Sequence, residues 1–214
     1  MTNLTVIPTQ IELDVFLETC REQGYNSETV VTGRLSVAYF PGLETAVALG
    51  GLGKTQFAIQ TQHLIDARHW DLVVCAGAAG ALVAGLTMGD VVISTETIEH
   101  DIRNKFGPPL LPRFSSPEYI LKQCRQAIQT EPAFRVHYGP IASGDEDVVE
   151  SEQRAAIHKR TNALAVAWEG AGGARASQFS GVDFIEIRGV TDDANSTAVY
   201  DFLMNLNQTM KNVA

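Results

Sequence analysis

AVAWEGAGGARASQF (residues 165–179) and IEIRGVTDDAN (residues 185–195) are the two segments from which the rest of this chain can be understood. Leu164 to Trp168 is a short apolar run that ends at Glu169 and passes into small residues suited to a helix. Phe184 to Val190 is rich in β-formers and ends in Thr191, Asp192 and Asp193. In an open α/β sheet, ligands gather in the crevice outside the carboxyl ends of the strands. Two acids delivered to strand ends therefore point to a site for a polyhydroxylated, base-bearing molecule.

Working outward, strand and helix signals alternate. Leu4 to Ile7 is apolar, and Ile11 to Cys20 has the spacing of an amphipathic helix. Thr29 to Phe40 is expected to form a hairpin turning at Gly33, followed by a strand at Thr45 to Leu49 and a helix at Phe57 to Ala67. Leu72 to Ala76 is wholly apolar, as a strand covered on both faces must be. Further strands are predicted at Val91 to Ser94 and Phe134 to Ile141, and helices at Glu118 to Ile128 and Ala198 to Lys211. Thr97 to Ser116, with Pro108, Pro109 and Pro112, is expected to be a long loop. The fold class that follows is α/β: residues 1–214 as a single domain, three layers, with a central twisted mixed sheet flanked by helices.

Composition narrows the function. The 214 residues are 45% hydrophobic and 19% charged, with a formal net charge of −9. That balance argues against a nucleic-acid partner, which needs clustered Lys and Arg. No apolar run reaches the ~20 residues that span a bilayer, so no membrane association is expected. The start, MTNLTVIPTQIELD, lacks the basic region of a signal peptide, and a cytoplasmic location is expected. Cys20, Cys75 and Cys124 are far apart and odd in number, which suits reduced thiols in the core. No metal or cofactor is expected.

GGLGKT (50–55) invites comparison with a phosphate-binding P-loop. That motif needs a Gly separated by four residues from the Gly-Lys pair, and the position holds Ala48. A tight glycine turn with Lys54 in the first turn of a helix is the expectation instead.

Seven segments in order, VIPTQIEL, GGLGK, VVCAGAAGAL with MGDVVIS, EHD, SGDED, VAWEGAG and RGVTDDAN, make the chain resemble the purine nucleoside phosphorylase and nucleosidase superfamily. Within it, the likeness is greatest to the 5′-methylthioadenosine/S-adenosylhomocysteine nucleosidases. The resemblance implies a small-molecule purine nucleoside as substrate. It assigns Asp192 as the general acid at N7 of the departing base and Glu12 as the carboxylate that activates water. Glu169 falls on the residue that grips the ribose hydroxyls, and Trp168 lies beneath the sugar. Ala79 and Gly80 approach the ligand through their backbone, Val148 reads the base edge, and Asp147 stands where adenine-specific members stack an aromatic ring. A homodimer is implied, with Phe106 reaching into a neighbour's site.

The chemistry has its own logic. Breaking an N-glycosidic bond builds positive charge on the sugar and negative charge on the base, so an acid at one end and a carboxylate at the other both contribute. Burial, and Asp193 if close, would raise the pKa of Asp192. Arg188 is expected to pair either with a site carboxylate or with a core acid. His100 and Asp101 are either loop anchors or site-wall residues. Phosphorylases place an arginine and a serine where Cys75 and Ala78 stand, which favours water over phosphate as nucleophile. Ala167, where many relatives have an acid, and Asp147 leave the base and 5′ group open, so a hydrolase of another purine nucleoside such as futalosine is an alternative. A phosphate-dependent phosphorylase and a non-catalytic nucleoside-binding protein are the others.

Overall fold

The computed structural model describes residues 1–108, 110–128 and 133–214; Pro109, one of the three loop prolines, lies outside them. Its elements run β1 (Asn3–Ile7), α1 (Gln10–Glu22), β2 (Glu28–Thr32), β3 (Leu35–Phe40), β4 (Thr45–Leu49), α2 (Lys54–Ala67) and β5 (Leu72–Ala81). There follow β6 (Val91–Glu99), β7 (Arg113–Ser115), α3 (Glu118–Ala127), β8 (Val136–Ser143) and α4 (Ser151–Thr161). The chain ends in β9 (Ala165–Ala167), α5 (Gly170–Ser180), β10 (Asp183–Asp192) and α6 (Ala198–Val213).

Among the described residues these strands form one ten-stranded mixed sheet. β5 lies between β1 and β10, parallel to both, and its wholly apolar sequence suits a strand covered on two faces. Alternate residues of β1 separate the layers. Leu4 and Val6 pack with Phe57 and Leu64 of α2 and Ala174 of α5, whereas Ile7 packs with Leu13 and Cys20 of α1. Helix α6 joins α1 on that second face, where Leu206 and Met210 meet Ala78. The expected three layers are present. One feature was not anticipated: β10 pairs with β5 on one side and β6 on the other, so β5, β9, β8, β6 and β10 close into a ring.

The expected loop at Thr97–Ser116 needs correction. β6 runs on to Glu99, and Arg113–Ser115 returns antiparallel to it, which leaves residues 100–108 and 110–112 as the described part of the loop. Polar residues disguised both strands. Glu99 is buried, but it pairs with Lys54 and Arg175, partners far away in the chain. Arg113 pairs across the ladder with Glu96.

Candidate active site

Three strand ends and one helix start converge on a cavity of about 450 Å³. Helix α1 begins with a capping box, in which Thr9 and Glu12 satisfy each other's backbone N–H groups. The box turns the Glu12 carboxylate inward. Its Oε2 accepts hydrogen bonds from Thr9 N (3.0 Å) and Thr9 Oγ1 (2.5 Å), and its Oε1 accepts one from the Ala78 N–H at 2.8 Å. Glu12 is therefore both the first-turn acid of its helix and a wall of the cavity.

β9 delivers Trp168 and Glu169 at the start of α5, and both line the cavity. Glu169 is buried, with Oε1 held by the Gly53 N–H at 3.2 Å and Oε2 by Arg188 Nη2 at 3.2 Å. Burial raises the Glu169 pKa despite the pull of Arg188. Arg188 itself serves both of its possible partners. Nε donates to Glu186 at 2.8 Å, and Nη1 donates to the Ala78 carbonyl at 3.2 Å. Burial opposes its charge, but the surrounding Cys75 and Glu186, with Glu169 and Glu12, hold its pKa above the ordinary guanidinium value.

β10 carries the remaining acid. Its register against β5 shifts between Val190 and Asp192, and such an irregularity re-aims a side chain. Asp192 is buried. Oδ1 accepts the Ala194 N–H at 2.9 Å, and Oδ2 lies 2.8 Å from Thr191 Oγ1. Burial raises its pKa; the bonds from Ala194 and Thr191 work the other way, and Asp201 and Asp193 add to the rise. An acid held in this way carries its proton to higher pH than a free aspartic acid does.

Ala79, Gly80, Asp147 and Val148 line the same cavity as Glu12, Trp168, Glu169 and Asp192. Phe106 does not: it is fully exposed in the loop that follows β6. His100 and Asp101 do not line the cavity either. Asp101 ties Lys54 to the backbone of Asp145, the work of a loop anchor. Thr9, Leu52, Glu146 and Phe202 line the cavity without having been picked out from the sequence. For Thr9 the signal was present, since Thr-x-x-Glu spells the capping box. For Phe202, on a half-exposed helix, there was none.

The glycine turn at GGLGKT is a turn of the expected kind. Its Gly53 and Lys54 N–H groups point at the carboxylates of Glu169 and Asp145, and the Lys54 ammonium is taken by Glu99 and Asp101. A phosphate would find those donors occupied. Among the described residues no group of His, Cys, Asp and Glu has the arrangement of a metal site. No helix there is long and apolar enough to cross a membrane.

A mixed sheet with acids at the ends of its central strands defines a class, and the chain belongs to the phosphorylase superfamily, whose family model matches residues 6–214. Its relatives include the 5′-methylthioadenosine/S-adenosylhomocysteine nucleosidase of Exiguobacterium sp., 31% identical over 172 residues that make up 77% of this chain and 74% of that one. The nucleosidase of Bacillus cereus is 31% identical over 85% of this chain and 82% of its own. The crystal structure of the Neisseria meningitidis enzyme with methylthio-immucillin-A has a TM-score of 0.86 at 32% identity, covering 100% of this chain and 95% of that one. The native structure of Helicobacter pylori futalosine hydrolase shares the fold, with a TM-score of 0.86 at 23% identity, over 99% of this chain and 94% of that one. The resemblance carried by the seven segments is borne out.

Proposed function

We propose that the chain is an N-ribosyl hydrolase that cleaves the N-glycosidic bond of a purine nucleoside, 5′-methylthioadenosine or S-adenosylhomocysteine foremost, and releases the free base. The observation that carries this reading is that Glu12, Glu169 and Asp192, delivered by three different elements, line one cavity. As the C1′–N9 bond breaks, its electron pair goes to the base, and protonated Asp192 donates to N7. General-acid help of this kind contributes roughly 10²–10⁴-fold. Water then adds to C1′ and passes a proton to Glu12. Glu169, fixed by Gly53 and Arg188, accepts hydrogen bonds from the ribose hydroxyls. Val148 packs with Val166 and Ala194, beside the Asp192 end, where the base would lie. Trp168 would support the sugar.

Water is favoured over phosphate because Cys75 and Ala78 stand where a phosphorylase places its arginine and serine, and burial holds the Cys75 thiol protonated. The exposed Phe106 suits a homodimer in which it reaches a neighbouring site, and a cytoplasmic location completes the reading. Asp147 on the cavity wall supports a second substrate reading, a different purine nucleoside such as futalosine, by the same chemistry.

The test is a phosphate-free incubation with methylthioadenosine, adenosylhomocysteine, adenosine, inosine and futalosine, followed by chromatography of the released bases. Free base from at least one substrate is expected, and Asp192→Asn should lose at least about 100-fold in turnover while still binding. Ribose 1-phosphate as product would move the chain to the phosphorylases. Binding without turnover across the panel would make it a binding protein.

A further inference from the structure

Lys54 is absorbed by none of the chemistry above, yet its side chain is only 15% exposed and it lies one residue from a donor to Glu169. Its ammonium meets Asp101 and, at 3.1 Å, Glu99. Asp101 in turn accepts the Asp145 N–H at 2.9 Å, and Asp145 accepts the Lys54 N–H at 2.7 Å. Lys54, Asp101 and Asp145 thus form a closed polar circuit around the end of the glycine turn. Glu99 is anchored independently by Arg175, whose Nε lies 3.0 Å from it. Inside the turn, Gly51 (φ 82°) and Gly53 (φ 80°) occupy the left-handed region, where glycine is free to move unless something else pins it. The other side is pinned by packing: a Cβ on Gly172 of α5 would lie 2.3 Å from the Lys54 carbonyl oxygen.

Building on the function proposed above, we infer that Lys54 is a positioning residue for Glu169, locking the glycine turn so that the Gly53 N–H holds the ribose-facing carboxylate in place. Gly53 and Arg188 hold one oxygen each, so a released turn leaves Glu169 fixed at one atom and free to rotate about it. Lys54 does not line the cavity. Its effect should therefore appear only in contacts that Glu169 makes.

Two measurements separate this role from general support of the fold. The first is calorimetric binding of adenosine and of 2′,3′-dideoxyadenosine to Asp192→Asn, used as a parent that binds without turnover, and to the same protein carrying Lys54→Met, Lys54→Arg or Asp145→Ala. Lys54→Met and Asp145→Ala should weaken adenosine about 10-fold, the loss of part of one charge-assisted hydrogen bond. The dideoxy compound should bind as before, and Lys54→Arg should recover most of the loss. Equal weakening of both ligands, or no weakening, would overturn the inference. The second measurement needs no nucleoside: hydrogen exchange of the Gly53 amide, which should quicken in Lys54→Met and stay slow in Lys54→Arg. Unchanged exchange would also overturn the inference. A parent that does not distinguish the two ligands while Gly53 exchange responds as expected would refute the role of Glu169 and leave the positioning of the turn intact.

Discussion

A methyl group at position 80 would sit 2.8 Å from Asp192 Oδ1 and 3.2 Å from the Cβ of Ala194. Glycine is required there because the β5 backbone passes directly beneath the carboxylate. Gly80→Ala should therefore push Asp192 aside and cost about 100-fold in turnover, the scale of a ~1 Å misplacement, with an unaltered circular dichroism spectrum. Asp192 also leaves a mark on stability. Its folded pKa is raised, so its contribution is fully present below the unfolded value and is lost as pH rises through the folded one. Asp192→Asn should thus melt higher than the wild type at pH 8, with the gap closing toward pH 4. A gap that widens on acidification would contradict the assigned direction. Asp192 was legible from sequence because a β-run ending in acids is a local pattern. The need for Gly80 was legible only as a close backbone approach, since what it approaches lies 112 residues further on.

At the scale of elements, β10 concentrates the polar interior. Thr97 of β6 donates to Glu186 at 2.6 Å, Glu186 accepts from Arg188, and Arg188 reaches Glu169. All four are buried. Removing the guanidinium strands two carboxylates without their cation, a loss of about 3–5 kcal/mol. Arg188→Met should accordingly lower the melting temperature by roughly 10 °C. Adding Glu186→Gln to that variant should recover part of the fall; calorimetric melts of the single and double variants check both. The sequence left two partners open for Arg188 because a strand position says which way a side chain points and not what awaits it. The same limit hid the end of β6. Glu99 looks like a loop residue until Lys54 and Arg175 are seen to meet it.

Taken whole, the molecule carries a net charge of −9, and its cavity sets the carboxyl groups of Glu12, Glu146, Asp147, Glu169 and Asp192 against one already committed guanidinium. An anionic ligand meets repulsion throughout its approach. Adenosine 5′-monophosphate should be a much poorer substrate than adenosine, and the difference should shrink as salt is raised, because screening weakens it. A salt-independent ratio of kcat/KM would assign the discrimination to shape. Layering and the alternation of elements were legible from hydrophobic periodicity. The ring was not, because its closure depends on β10 choosing β5 and β6 as neighbours, and no local pattern records that choice. During synthesis this ring has a consequence of its own. β5 and β6 must leave the ribosome and wait, with backbone edges unpaired, until the strand that joins them is made. Glu12 lies before β5 and Asp192 at the end of β10, so a nascent chain that stops short of β10 lacks one wall of the cavity. Until β10 is made, the open edges of β5 and β6 are the surfaces at which such a chain would aggregate and which a chaperone would have to cover.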